Sequence, residues 1–288
     1  MGLFGFGKSA GALPDLGALP VEQAIARLRA LPAAQMNRAA GSVLYSARAR
    51  PAALDDQIAL FDAIAALPGL AAHHRANARI ARSHKALELG DAAALSAGLP
   101  ALLALGPEIA GFPPSDDIRQ DRCHVTFSRA YVGLNAALML GDGALLSELM
   151  DEALAAARHH LDAPLPGGFY RSSANVMRCL AFALVARRHG TEPAQRAALA
   201  TLAQQVFSRA LDLRPPAGRS TKARKVATGI PMPDAEFMRT AALAQLLTRW
   251  AEASAGGTLD ETIGALAVAQ RTPDQRDRLS AAWQAQRQ

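Results

Sequence analysis

Aromatic and cysteine residues are scarce in this chain, and no long apolar run is present. Only 5% of the residues are aromatic although half are hydrophobic, and alanine and leucine dominate the apolar fraction. This composition favours closely packed helices over strands rich in β-branched side chains. The two cysteines have no paired spacing, which predicts free thiols, a reducing compartment and a cytoplasmic location. No stretch reaches the roughly 20 apolar residues of a membrane span, so no transmembrane segment is expected.

Lysine is also rare, and the positive charge is unevenly distributed. The formal net charge is +6, and the segment Arg214–Lys225 supplies five positive charges without an acid. The remainder of the chain therefore carries only +1. The sequence therefore does not indicate a uniformly basic surface of the kind that binds nucleic acid. We expect an anionic partner to contact only the positively charged segments.

A ten-residue pattern recurs in the chain. Residues 86–95 read ALELGDAAAL and residues 137–146 read ALMLGDGALL, while Gly190 with Thr191 marks a weaker third copy. In each copy a glycine can end a helix in the left-handed conformation, and the next residue can cap the following helix. The glycines at 90, 141 and 190 are about fifty residues apart, which suits a pair of helices with its loops.

The apolar spacing predicts an all-α fold, a right-handed α-solenoid of about five helix pairs with a C-terminal capping helix. Residues 1–20 are expected to be a flexible leader, and residues 21–288 a single repeat domain with a basic loop at 214–233. The predicted helices span about 21–31, 33–49, 52–67, 70–89, 91–105, 116–140, 142–161, 170–189, 192–213, 234–252 and 258–270. The capping helix is predicted to begin at Thr272-Pro273-Asp274-Gln275, a sequence that combines an N-cap, a first-turn proline and a capping-box glutamine.

The predicted connections differ in length on the two sides of the helix pairs. Turns within a pair are mostly short, whereas connections between pairs lengthen along the chain, from 68–69 to 106–115, 162–169 and 214–233. In a stack of helix pairs, all inter-pair connections emerge at one edge. Irregular sequence collects there, so this edge is the first candidate for function.

The stretch Leu89-Gly90-Asp91-Ala92-Ala93-Ala94-Leu95, with Ala101, Leu105 and Pro107 downstream, resembles the tetratricopeptide repeat. The resemblance covers one unit and part of a second, and the period is longer than the 34 residues of that family. It implies a concave face formed by the first helix of each pair, and a role in binding another protein.

Arginines recur at the same internal spacing in three predicted first helices, of which the later two are in equal register before the turn glycine and the first is shifted by one turn. A spacing of i, i+4, i+7 places each trio on one helix face, and guanidinium groups suit carboxylate or phosphate capture. These side chains would line the concave face and bind an acidic or phosphorylated protein or peptide. A solvated outer face is the simpler alternative. The trios are Arg75, Arg79 and Arg82; Arg122, Thr126 and Arg129; and Arg171, Asn175 and Arg178.

Two further groups of residues extend the predicted binding surface. The basic loop offers Arg219, Lys222, Arg224 and Lys225 to an anionic partner, although a mobile loop without a ligand explains it equally. Tyr170, beside an inter-pair connection, is a candidate rim residue. Nucleic acid is an alternative partner, but the basic loop has no aromatic side chains for base stacking.

An enzymatic alternative places catalysis at the long-loop edge. Asp117, Asp121 and His124 follow an i, i+4, i+7 spacing, which puts two carboxylates and an imidazole on one helix face. In this alternative, Arg171 or Tyr170 would hold an anionic substrate. The carboxylates and the imidazole could instead bind a metal ion. Helix capping by these acids is the competing explanation. The leading hypothesis is a non-enzymatic adaptor with no cofactor and no metal, and the oligomeric state is not specified by these patterns.

Overall fold

A computed structural model of the chain describes residues 19–47, 54–113, 115 and 120–161, together with isolated positions at 16, 176, 179, 197–198, 201–202, 204–206 and 208. All regular secondary structure in this part is helical, which confirms the all-α prediction. The helices are α1 (Val21–Arg29), α2 (Ala33–Ala47), α3 (Leu54–Ala65), α4 (Ala72–Leu89), α5 (Ala92–Leu103), α6 (Leu105–Ala110), α7 (Arg122–Leu140) and α8 (Gly143–Leu161). None of the described helices is both long and apolar enough to cross a membrane.

The turns at Gly90 and Gly141 have the predicted geometry. Both glycines are left-handed, with φ of 67° and 70°. Asp91 N–H donates to the Ala86 carbonyl at 3.1 Å, and Gly90 N–H donates to the Leu87 carbonyl at 3.1 Å, which together form a Schellman motif. The Asp91 side chain then accepts from Ala94 N–H at 2.9 Å and caps α5. One aspartate therefore closes one helix and opens the next.

The second copy of this turn repeats the same bonds. Asp142 N–H donates to the Ala137 carbonyl at 2.9 Å, and its side chain accepts from Leu145 N–H at 2.9 Å. The two helix hairpins, α4 with α5 and α7 with α8, are thus built by the same local chemistry. Gly190, the third predicted turn, lies outside the described residues.

Helix α4 lies at the centre of the described part and packs against α2, α3, α5, α6 and α7. Two of its alanines, Ala78 and Ala81, belong to a core shared with α1, α2 and α3. Ala76 and Ile80 belong to a second core shared with α5, α6 and α7. Because most of these side chains are small, α4 can approach neighbours on both sides.

Two predictions differ from the observed elements between α5 and α7. The segment 106–115, predicted as a loop, includes five of the six residues of α6, because Pro107 falls in the first turn of a helix, where proline is tolerated. Helix α7 begins at Arg122 rather than near residue 116, with Asp121 as its N-cap. The other predicted helices between 21 and 161 agree with the structure to within two residues.

Candidate anion-binding site

Two arginines of α4 share one carboxylate of α6. Arg75 Nη1 lies 3.9 Å from Oε1 of Glu108, and Arg79 Nη1 lies 3.9 Å from Oε2 of the same side chain. All three side chains are between a quarter and about a third exposed. We call this group, Arg75, Arg79 and Glu108, the α4–α6 site. It places two positive charges around a single oxyanion at the protein surface.

The helix geometry explains why these three residues meet. Arg75 and Arg79 are four residues apart on α4, so their side chains lie on the same face one turn apart. The short helix α6 packs against α4 and carries Glu108 to that face. Arg75 is further oriented by its Nη2, which donates to the Leu70 carbonyl at 3.1 Å. The site is thus formed where the chain passes from one helix pair to the next.

Arg82, the third arginine predicted on this face, has a structural environment. Its side chain is only 11% exposed, and its Nε lies 3.3 Å from Oδ1 of Asp62 on α3. Its Nη1 donates to the Ala94 carbonyl of α5. Gly98 leaves the space for this guanidinium, since a Cβ there would lie 2.7 Å from the Arg82 Cζ. Arg82 therefore links α3, α4 and α5 and presents little surface to a ligand.

Arg129 of α7 is also directed inward. Its Nε donates to the Leu102 carbonyl at 3.1 Å, and its Nη2 donates to the Leu103 carbonyl at 2.9 Å. Its Nη1 pairs with Glu152 of α8. With a side chain only 7% exposed, Arg129 binds the end of α5. These contacts leave it unsuited to the predicted contact with an external partner.

Arg122 lies at the other end of α6. Its Nη1 donates to the Ala110 carbonyl, the last residue of α6, at 3.3 Å. Helix α6 is therefore approached from both sides, by Arg75 and Arg79 of α4 and by Arg122 and Arg129 of α7. Within the described residues, arginines of α4 and α7 thus lie around α6, and of these the pair Arg75 and Arg79 combines partial exposure with a shared acidic contact.

Of the residues of the enzymatic alternative that are described, Asp121 is the N-cap of α7 and His124 lies in the first turn of that helix. Asp121, which is 2% exposed, accepts from His124 N–H at 2.9 Å and from Ser115 N–H at 3.2 Å. His124 Nε2 lies 3.4 Å from the Ser128 hydroxyl. The Asp121 carboxylate thus holds the start of α7 and the preceding segment. Asp117 lies outside the described residues.

The described part of the chain lacks a cluster of metal-ligating side chains. No group of three His, Cys, Asp or Glu side chains within it could hold a metal ion. Cys123 and Cys179 are both buried and are not joined in a disulfide, as predicted.

Several predicted binding residues cannot be placed beside the α4–α6 site. The following lie outside the described residues: Tyr170, Arg171, Asn175, Arg178, Arg219, Lys222, Arg224 and Lys225. Thr126 of α7 is partly exposed. The acidic residues that meet the arginines, Asp62, Glu108 and Glu152, were not predicted from the sequence. Glu108 has one detectable signal, since it is the single acid in the apolar segment 101–114.

No protein-family model matches the chain, and no curated protein or solved structure matches it. The tetratricopeptide-like resemblance accordingly stays a prediction from the residues.

Proposed function

We propose that the chain is a helical-repeat binding module that captures an acidic or phosphate-bearing segment of a partner protein. The observation that carries this proposal is the α4–α6 site, where Arg75 and Arg79 hold one oxyanion between them at the surface. Two guanidinium groups around a single carboxylate form the arrangement that recognises acidic and phosphorylated side chains. The Glu108 carboxylate already displays the class of ligand that fits.

The packing order of the helices supports a repeat architecture. The first helices of successive pairs contact each other, α2 with α4 and α4 with α7. Each second helix packs against the next first helix, α3 against α4 and α5 against α7. Among the described helices, second helices of successive pairs do not contact one another. Close first helices and separated second helices are expected of a curved stack whose inner side carries the first helices.

The location of the α4–α6 site also favours binding. It lies at the connection between the hairpin α4–α5 and the hairpin α7–α8. In the proposed stack, this is the edge at which the inter-pair segments would emerge. Connections at such an edge can vary without disturbing the packed helices, so binding residues are commonly placed there. Arg122, at the start of α7, lies at the same edge and would extend the positive surface.

The proposal is tested by selecting ligands from matched peptide libraries. Libraries of equal length, one enriched in Asp, Glu and phosphoserine and one in Lys and Arg, are incubated with the full chain, and bound peptides are sequenced. We expect enrichment of acidic or phosphorylated positions and binding that weakens with added salt. The double substitution Arg75→Gln, Arg79→Gln should lower the affinity of a selected peptide about ten-fold or more, since a charge-assisted hydrogen bond contributes about 1.5–3 kcal/mol.

A matched control removes the same charge elsewhere. Arg27 and Arg29 are exposed on α1, which packs only against α2 and α3 among the described helices. The variant Arg27→Gln, Arg29→Gln should bind like the unmodified chain. Equal losses of peptide affinity in both variants would show that binding reflects general charge attraction and not the α4–α6 site. If an oligonucleotide of equal charge binds tightly and this binding requires Arg75 and Arg79, the partner would be a nucleic acid instead of a protein.

A further inference from the structure

We propose that Glu108 is a built-in occupant of the α4–α6 site, and that a phosphorylated side chain of the partner displaces it. This role depends on the proposed function and specifies its ligand. The carboxylate lies between the two guanidiniums and uses a different oxygen for each, Oε1 for Arg75 and Oε2 for Arg79. It therefore stands where an external oxyanion would bind.

Glu108 is held weakly in this position. Both nitrogen-to-oxygen distances are 3.9 Å, well beyond the roughly 2.7–2.9 Å of a charge-assisted hydrogen bond. The three side chains are partly exposed, and ion pairs in such positions are screened by water. A ligand that forms shorter contacts can therefore take the place of the carboxylate.

The guanidinium groups retain donors for such a ligand. Within the described part of the chain, the contact with Glu108 is the one polar interaction of the Arg79 side chain. Arg75 uses one further nitrogen, Nη2, to hold the Leu70 carbonyl. That bond fixes the position of Arg75 on its helix while leaving donors on both arginines. Two adjacent guanidiniums can then form several parallel bonds to one ligand.

Displacement requires movement of a side chain and not of the helix. Arg129 holds the Leu102 and Leu103 carbonyls before α6, and Arg122 holds the Ala110 carbonyl at its end. Helix α6 is thereby anchored at both ends. Rotation of the Glu108 side chain toward solvent is enough to vacate the space between Arg75 and Arg79.

Competition with Glu108 favours phosphate over carboxylate. A partner's carboxylate has the same charge and shape as Glu108, so exchange gains little. A phosphoserine or phosphothreonine carries about −1.5 to −2 charges and three acceptor oxygens, which two guanidiniums can bind together. We therefore infer that the partner segment is recognised in its phosphorylated form.

The test uses three fluorescent peptides of one sequence, taken from the acidic selection, with phosphoserine, glutamate or serine at the central position. Their affinities are measured for the full chain and for Glu108→Gln and Glu108→Ala. The unmodified chain should bind the phosphoserine peptide most tightly. Both substitutions should raise the affinity for the phosphoserine and glutamate peptides by the same factor, about two- to five-fold, because every ligand meets the same displacement cost.

The control variant is Glu148→Gln, which removes one negative charge from an exposed position on α8 and should leave all affinities unchanged. Thermal unfolding of each variant verifies that it is folded. Suppose that Glu108→Gln and Glu108→Ala bind the peptides as tightly as the unmodified chain or more weakly, while the double variant Arg75→Gln, Arg79→Gln loses affinity. This result would contradict the displacement of Glu108 but would still support the proposed function. Full binding by the double arginine variant would overturn both. Equal affinity of the unmodified chain for phosphoserine and glutamate peptides would contradict the preference for phosphate.

Discussion

The guanidinium of Arg129 supplies the hydrogen-bond donor that Pro107 lacks. In a continuous helix the Leu103 carbonyl would accept from the backbone N–H four residues later, but that residue is Pro107, which has none. Arg129 Nη2 donates to this carbonyl instead, at 2.9 Å, and its Nε donates to the Leu102 carbonyl. The junction between α5 and α6 is therefore completed by a side chain of α7.

Removal of this guanidinium should destabilise the described helices. Arg129→Met keeps an unbranched apolar side chain but leaves the Leu102 and Leu103 carbonyls without their side-chain donor. An unsatisfied buried polar group costs about 1–3 kcal/mol, and we expect a loss of this size in the free energy of unfolding, measured by urea titration. Arg158→Met, on an exposed part of α8, is the control and should change stability by less than about 0.5 kcal/mol. Equal stability of the two variants would show that Arg129 does not support the junction.

The backbone conformation at Gly141 yields a second prediction. Gly141 has a φ of 70°, and a Cβ added there would meet no atom within 4 Å. Gly141→Ala should therefore cost only the left-handed backbone strain, about 1–2 kcal/mol. Gly143, at the start of α8, also has open space, and Gly143→Ala should leave stability unchanged or slightly raised. Thermal unfolding of both variants measures the difference in stability between them. A Gly141→Ala variant as stable as the unmodified chain would contradict the prediction.

The turns could be predicted from the sequence because their geometry is local. A left-handed glycine followed by a capping aspartate requires no information from distant residues, and the structure reproduces this pattern at Gly90 and Gly141. Helix α6 was missed because its stability depends on Arg122 and Arg129, which follow it in the chain. No local pattern around Pro107 contains that information.

The close contact between Gly98 and Arg82 yields a third prediction. A Cβ at Gly98 would overlap the Arg82 guanidinium, so Gly98→Ala should displace its bond to the Ala94 carbonyl and its pairing with Asp62. We expect a loss of about 1–3 kcal/mol from this overpacking. In an Arg82→Ala background the same change should instead stabilise the protein by about 0.5–1 kcal/mol, because alanine favours a helix more than glycine does.

A double-mutant cycle measured by urea unfolding tests this change of sign. The same effect of Gly98→Ala in both backgrounds would show that Arg82 and Gly98 are not coupled.

The arginines of α4 show which features residue spacing can predict and which it cannot. A spacing of i, i+4, i+7 correctly places Arg75, Arg79 and Arg82 near one another on α4. Spacing does not show which guanidiniums meet carbonyls or acids of other helices, since those contacts depend on tertiary packing. Arg129 is therefore buried and Arg82 only 11% exposed, while Arg75 and Arg79 are about a third exposed.

The N-cap at Asp121 yields a fourth prediction. Its two carboxylate oxygens accept from different backbone groups, His124 N–H and Ser115 N–H. Asparagine has one oxygen acceptor, so Asp121→Asn should lower the free energy of unfolding by about 1 kcal/mol or more. Asp91 caps α5 through one oxygen, and Asp91→Asn should be nearly neutral because asparagine caps as well as aspartate. Equal effects of the two substitutions in a urea titration would contradict this difference.

The N-cap of α7 could not be identified from the sequence alone, and the helix was predicted to begin near residue 116. Asp116, Asp117 and Asp121 all precede a helical pattern, and each is a plausible N-cap by residue type. Asp121 differs from a purely local N-cap because its side chain also accepts from Ser115 N–H. That contact closes the connection after α6 and is not visible in the residue order.

The central claim is that Arg75 and Arg79 together hold one oxyanion of a partner. Its most direct measurement is the change in arginine Nε–H resonances of the full chain when the selected phosphoserine peptide is added, with assignments made from single Arg→Lys substitutions. We expect saturable shifts of the Arg75 and Arg79 resonances, while those of Arg27 and Arg29 stay unchanged. Shifts of equal size at all four arginines, or none at Arg75 and Arg79, would contradict it.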